Sequence, residues 1–222
     1  MSDRNRIFSS SLAPLGGAAA LATALVAGPA HAVDLSLLAG FQVSSDFEVS
    51  IDSDGEEDID DDNDGDRISV DDSGAYALAV DFPLGGKDSN ERLGFYLSHQ
   101  QTGFSADARL DDSDLSISHL HFTAQTLFPN GRWEPYLLLG IGAAYFSPKD
   151  STLDSKTFFS AQIAGGTSYE ITETFRLRFG ARWIPTFFSG SSAVFCNGGC
   201  TVGVKSSLYN QVTLELGLQF RL

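Results

Sequence analysis

The chain is short of positive charge. Its 222 residues hold 14 Lys and Arg against 29 Asp and Glu, a net charge of −15. A nucleic-acid partner would want a basic surface, so that class is excluded. Two cysteines are too few for a disulfide-dense mini-domain. Charged residues make up only 19% of the chain, below the roughly 25% of an ordinary soluble domain. Long apolar runs are scarce: past the N-terminal stretch, none approaches the ~18–20 residues of a membrane-spanning helix. What the chain does have is 42% hydrophobic residues, 22 Gly and 17 Phe.

The N-terminus has the form of an export signal. Arg4 and Arg6 precede an Ala-rich apolar stretch from about Leu12 to Val26. The stretch ends in Pro29-Ala30-His31-Ala32, and Ala30-x-Ala32 fits the small-residue cleavage rule. Pro14, Gly16 and Gly17 and the short apolar length argue against a spanning helix. Residues 1–32 are therefore expected to be a signal peptide, with 33–222 as the mature protein.

Period-two alternation dominates the remainder, the signature of strands. Eight segments show it, beginning with Val33–Val43, Gly74–Phe82, Arg92–Phe104 and Leu115–Phe128, followed by Trp133–Phe146, Thr157–Ile171, Phe175–Trp183 and Leu208–Leu222. In the seventh, Phe175, Leu177, Phe179, Ala181 and Trp183 alternate with Arg176, Arg178, Gly180 and Arg182. In the fourth, Leu115 and Ile117 are out of phase with Leu120 and Phe122, which predicts either a bulge or a change of environment. Connections alternate between short (83–90, 129–131, 171–174) and long (46–72, 105–114, 147–156, 187–207). An even strand number with this alternation predicts an all-β fold, an eight-stranded antiparallel up-and-down transmembrane β-barrel.

Periodicity alone leaves a soluble barrel or sandwich open. Three features favour the membrane. Lys87, Lys149, Lys156 and Lys205, the only lysines, fall in expected turns or loops. The polar strand face is rich in Gly, Ser, Thr and Gln. Aromatics gather at strand ends: Phe128, Trp133, Tyr169 and Phe175 at one end, Phe104, Tyr145 and Phe187 at the other, the girdles of a bilayer interface.

The run Trp133-Glu134-Pro135-Tyr136-Leu137-Leu138-Leu139-Gly140-Ile141-Gly142 resembles the "PY…G.G" fifth strand of small outer-membrane barrels. Ser168–Glu173 followed by Arg176–Gly180 resembles their later strand–turn–strand, and Gly217–Leu222 is similar to their terminal strand, although the last residue is Leu222 rather than Phe. The resemblance is to the OmpA/OmpX-like family and covers the mature chain. It implies residence in the outer membrane of a Gram-negative bacterium. The implied partners are outer-membrane lipid and lipopolysaccharide, together with the barrel-assembly machinery reading the C-terminal strand. It carries over no catalytic residue, and the chain is not read as an enzyme.

Four constellations are candidates for chemistry. Residues 46–72 form an acidic loop with 14 of the acids and a single base, Arg67. Within it Asp60, Asp62, Asp64 and Gly65 match D-x-D-x-D-G, a spacing that converges carboxylates on a calcium ion, with Asp66 and Asp71 available to complete the shell. The alternative is a solvated acidic run without a ligand. Cys196 and Cys200 read as a disulfide in an exported protein. His119 and His121 share one strand face with Thr123 and Gln125; polar lining, a metal site and catalysis are all open, a lipid A-modifying enzyme ranking last. Finally, Asp34, Asp81, Glu170 and Glu215 are expected to face Arg92, Arg176, Arg178, Arg182 and Arg221 in the lumen. Charges inside so narrow a barrel must pair, which predicts a network that plugs it, with a narrow porin-like channel as the alternative.

Overall fold

The computed structural model describes residues 33–45, 47–51, 66–86, 89–105, 114–149, 155–188, 202–204 and 208–222. The expected signal peptide, Asp60, Asp62, Asp64, Cys196 and Cys200 lie outside the described residues. The strands are β1 (Asp34–Ser44), β2 (Phe47–Ile51), β3 (Asp66–Val70), β4 (Ser73–Pro83), β5 (Glu91–Ser105), β6 (Asp114–Leu127), β7 (Trp133–Pro148), β8 (Lys156–Glu170), β9 (Phe175–Phe187), β10 (Val202–Val204) and β11 (Leu208–Arg221).

Eight of them, β1, β4–β9 and β11, form one antiparallel sheet that closes on itself. Each pairs with its neighbour in chain order, and β11 returns to β1 along an unbroken register from Asp34↔Arg221 to Ser44↔Gln211. Closure leaves no edge, which lets strands cross a bilayer with their backbone groups satisfied. No helix among the described residues is long and apolar enough to span.

The stagger can be read from the register. Ala39 leads through Tyr76, His99, Ser118 and Tyr145 to Thr157. In the other direction it leads through Leu216 and Phe179 to Thr167 on the same strand. The strands are thus tilted with a stagger of ten residues, from Thr157 to Thr167, over the circuit of eight, as closure demands.

One expectation needs correction and one pair of alternatives is resolved. The acidic segment 46–72 is not a plain loop: its two ends are β2 and β3, which pair with each other, while β3 also pairs with β5 and β2 with β10. The period-two pattern there is masked by acids, so sequence reading passed over it. There is also no bulge at Leu115 and Ile117. The β5–β6 and β6–β7 registers run unbroken through them, and both side chains are buried. The environment changes instead: inward positions at the loop end are apolar.

The apolar faces of the strands point out. Phe41, Leu97, Leu120, Ile141, Leu214 and Leu216 are each half or more exposed, the outward alternation of a lipid-facing wall. Inward, glycines make room for large neighbours. Gly166 and Gly180 are register partners, and a Cβ on either would collide with the Tyr136 hydroxyl or with backbone. Tyr136 therefore lies across a glycine pair. Overfilling such a site costs about 1–3 kcal/mol. Gly180→Val should lower barrel stability by about that amount in urea unfolding from lipid vesicles, whereas Gly131→Ala, in a turn with φ of 62° and no atom within 4 Å, should act only through backbone strain.

Candidate functional site

The barrel interior holds the candidate site. Strand alternation sends Arg176, Arg178 and Arg182 of β9 inward, and the neighbouring strands supply their partners. At the short-turn mouth the pairs link into a chain. Arg176 donates to Glu170 (3.0 Å) and Glu134 (2.6 Å). Arg221 also reaches Glu134 (3.3 Å) and donates to Asp34 (2.8 and 3.1 Å). Arg92 donates to Asp34 (3.3 Å) and caps the Ser89 carbonyl. This chain joins β8, β9, β7, β11, β1 and β5. Arg178 ties in the other two strands, facing Asp81 of β4 at 3.6 Å and donating to Gln125 of β6 at 2.8 Å.

Deeper in, Arg182 donates through Nε (3.0 Å) and Nη2 (2.9 Å) to the two oxygens of Glu215, and through Nη1 to Gln162. Two aromatic rings complete the packing: Arg178 lies 4.0 Å from the Tyr136 ring centroid and Arg182 lies 3.8 Å from that of Tyr96, the geometry of a cation–π contact. Arg178 and Arg182 are 0% and 1% exposed. A charge so deeply buried stands only if paired and hydrogen-bonded.

Above the charges comes an amide layer. Gln42 and Gln211 both donate to the Gln100 carbonyl oxygen (2.5 and 3.0 Å), and Gln100 donates to Ser73 (2.7 Å). His119 and His121 stack at 5.7 Å, with His119 Nδ1 3.2 Å from Ser98 and His121 Nε2 2.8 Å from Ser160. Nearly parallel rings, 14° apart, keep their lone pairs in separate planes, which does not suit shared coordination of one metal. At the loop end Phe146, Phe158, Phe188 and Tyr209 form an aromatic cluster with centroids 4.5–6.3 Å apart.

The residues of the expected lumen network, Arg92, Arg176, Arg178, Arg182, Glu170 and Glu215, therefore lie in one interior column. Glu134 was missed, although Trp133 facing out places Glu134 inward by alternation. The aromatic layer was missed too. Its signal was Phe146 and Phe158 standing in the polar phase of their strands. Of the calcium candidates, Asp66 opens β3 opposite Val49. Asp71 follows β3, its N–H donating to Gly103 O (3.1 Å) and its carbonyl accepting from Thr102 (2.5 Å). Among the described residues no three His, Cys, Asp or Glu side chains gather to hold a metal.

A family profile described as "Outer membrane protein beta-barrel domain" matches residues 11–221. The chain belongs to this family and is a β-barrel protein of the Gram-negative outer membrane. Among solved structures it is similar to Neisserial surface protein A, with a TM-score of 0.55 at 11% identity over 86% of this chain and 97% of that one. It is also similar to OprG from Pseudomonas aeruginosa, with a TM-score of 0.47 at 16% identity over 86% and 97%. The first likeness supports the fold alone. No curated protein sequence matches the chain.

Removing one partner of a buried pair strands the other. Arg182→Ala should lower stability by about 3–5 kcal/mol in urea unfolding, and Arg182→Met with Glu215→Leu should recover most of that loss. Lys149→Ala, which breaks the exposed 2.6 Å pair with Asp114, should leave the unfolding midpoint unchanged, because exposed pairs contribute little.

Proposed function

We propose that this barrel is closed to ions and serves as a rigid mount, with a structural and interaction role exerted at its loop end. The observation that carries the reading is the filling of the interior: five Arg and five carboxylates paired across seven of the eight strands, with Gln125 of β6 bound to Arg178, and the whole capped by the aromatic cluster at the loop mouth. Eight strands enclose a space that side chains can fill. A bidentate Arg–carboxylate pair with a ring against it is a poor path for a hydrated ion. What remains to act on the surroundings is the surface beyond the wall. There, β2, β3 and β10 extend the sheet past the barrel, and β2 and β3 flank the acidic segment.

In this reading the acidic segment meets the exterior, and Asp60, Asp62, Asp64, Asp66 and Asp71 are proposed as calcium ligands on sequence spacing. Cys196 and Cys200 are proposed as a disulfide. The wall contacts lipid and lipopolysaccharide, and the strand ending in Gly217–Leu222 is proposed as the segment that the barrel-assembly machinery engages. No catalysis is part of the proposal.

A narrow route for small solutes is the second reading. It is favoured by one observation: Asp81 and Arg178 face each other beyond hydrogen-bond length, and both Asp81 oxygens and His121 Nδ1 are buried without a hydrogen-bond partner among the described residues. Such atoms are ones that ordered water satisfies.

Single-channel recording of residues 33–222 refolded into a planar bilayer separates the two. The closed barrel predicts no discrete steps, with or without millimolar calcium. Arg178→Ala and Glu215→Ala, which open gaps in the column, should introduce small steps. Steps from the unaltered protein would favour the solute route, and silent variants would contradict the network's part in closure.

A further inference from the structure

The outer wall is uneven at the loop end. The stagger makes the register partner of a residue climb just over one residue per strand from β1 through β4 towards β8. His99 is reached from Ala39 in two such steps and Ser118 in three. His99 therefore stands between the heights of Phe41 and Val43 on β1, and Ser118 stands at about that of Val43. At this height most of the rest of the wall is apolar: Phe41 and Val43 on β1, Phe159 on β8 and Phe187 on β9 are all exposed, and the one polar outward group on β11, Asn210, accepts from Trp183 Nε1 (3.1 Å). On β4, β5 and β6 the same belt holds Gly74, His99 and Ser118, with Gln101 and Ser116 as the next outward pair. The hydrocarbon-facing belt is interrupted over three strands.

The interruption is chemically organised. His99 Nδ1 and Ser118 Oγ lie 2.9 Å apart. Tyr76 and Tyr145, the register partners of His99 and Ser118 on the outer sides, are 71% and 46% exposed and flank it, the position of amphipathic rings at a bilayer interface. Beyond it Lys149 and Asp114 neutralise each other. Acyl chains offer nothing to these hydroxyl, amide and imidazole groups, and polar side chains facing hydrocarbon are disfavoured. Among the described side chains, the cation nearest the patch on this wall, Lys149, is already paired. Neutral donors and acceptors between two tyrosines suit a hydroxyl-rich headgroup.

We propose that His99, Ser118, Gln101 and Ser116 form a notch that binds the sugar headgroup of an outer-leaflet glycolipid, held lower than the headgroups around it. This inference rests on lipopolysaccharide being a lipid partner of the wall, and it names the place and the chemistry of that contact. It is independent of whether the lumen conducts.

The test uses the folded protein in phosphatidylcholine nanodiscs doped with purified lipopolysaccharide, assaying the glycolipid retained per barrel after detergent extraction. His99→Leu with Ser118→Leu should reduce retention roughly tenfold, as expected for one or two lost hydrogen bonds, and Ser118→Val alone should reduce it in the same direction. Apolar replacements on the lipid face favour the folded barrel, and heat-modified gel migration verifies folding of each variant. Phe41→Leu on β1 is the control and should retain what the unaltered protein does. Equal retention by the double variant overturns the proposal. So does equal retention of anionic phosphatidylglycerol doped in place of lipopolysaccharide, which would indicate a charged rather than a sugar contact. Bilayer conductance of the double variant should match that of the unaltered protein. A change there would bear on the lumen, leaving the glycolipid result as the readout of the notch.

Discussion

Five guanidinium groups inside an eight-stranded barrel are the constraint on which the rest of this structure turns. The interior is too narrow to hydrate them as bulk water would, and an isolated buried charge costs several kcal/mol. Each must meet a carboxylate, and the carboxylates must come from other strands. The pairs Arg176–Glu134, Arg221–Asp34, Arg178–Asp81 and Arg182–Glu215 thus join strands as a consequence of neutralising charge. Register and charge reinforce each other: a slip of one residue on β9 would turn its arginines out to lipid and Phe179 and Trp183 in to the acids.

The same constraint orders the interior along its length. Charges crowd the short-turn mouth and middle, amides follow, and aromatic rings end the column near the loops. Tyr96 and Tyr136 mark the joins, each carrying a guanidinium on its ring. Tyr136 can lie there because Gly166 and Gly180 present no side chains beneath it. Small, aromatic and charged residues on one face are one packing solution. They leave the outer face free to be largely apolar, most broadly interrupted over β4–β6.

Much of the barrel was legible from alternation. Arg176, Arg178 and Arg182 against Phe175, Leu177 and Phe179 states both a strand and its two faces, and the short and long connections state antiparallel neighbours. The inward sense of Asp34, Asp81, Glu170 and Glu215 followed from the same phase. Other features were less accessible for physical reasons. Glu134 sits at the very start of its strand, where its inward phase is set only by Trp133 facing out. Phe146 and Phe158 carry the composition of the lipid face on the lumen side, so hydrophobicity alone assigns them wrongly. Which carboxylate meets which arginine depends on the stagger, and no single strand encodes that. The contact of His99 with Ser118 likewise joins strands nineteen residues apart in sequence and appears only once register is known.

The central claim is that the interior charges are paired with one another and shielded from bulk water. Exchange of the arginine guanidinium protons with solvent, followed by NMR of the barrel in lipid bilayers, tests it most directly. The account predicts slow exchange at the Nη protons of Arg182, bound to Glu215 and Gln162, and at the Nη2 protons of Arg178, bound to Gln125, with faster exchange at Arg221, which is partly exposed at the mouth. Exchange at Arg178 and Arg182 as fast as that of a surface arginine would mean a water-filled lumen, and the closed barrel would be contradicted.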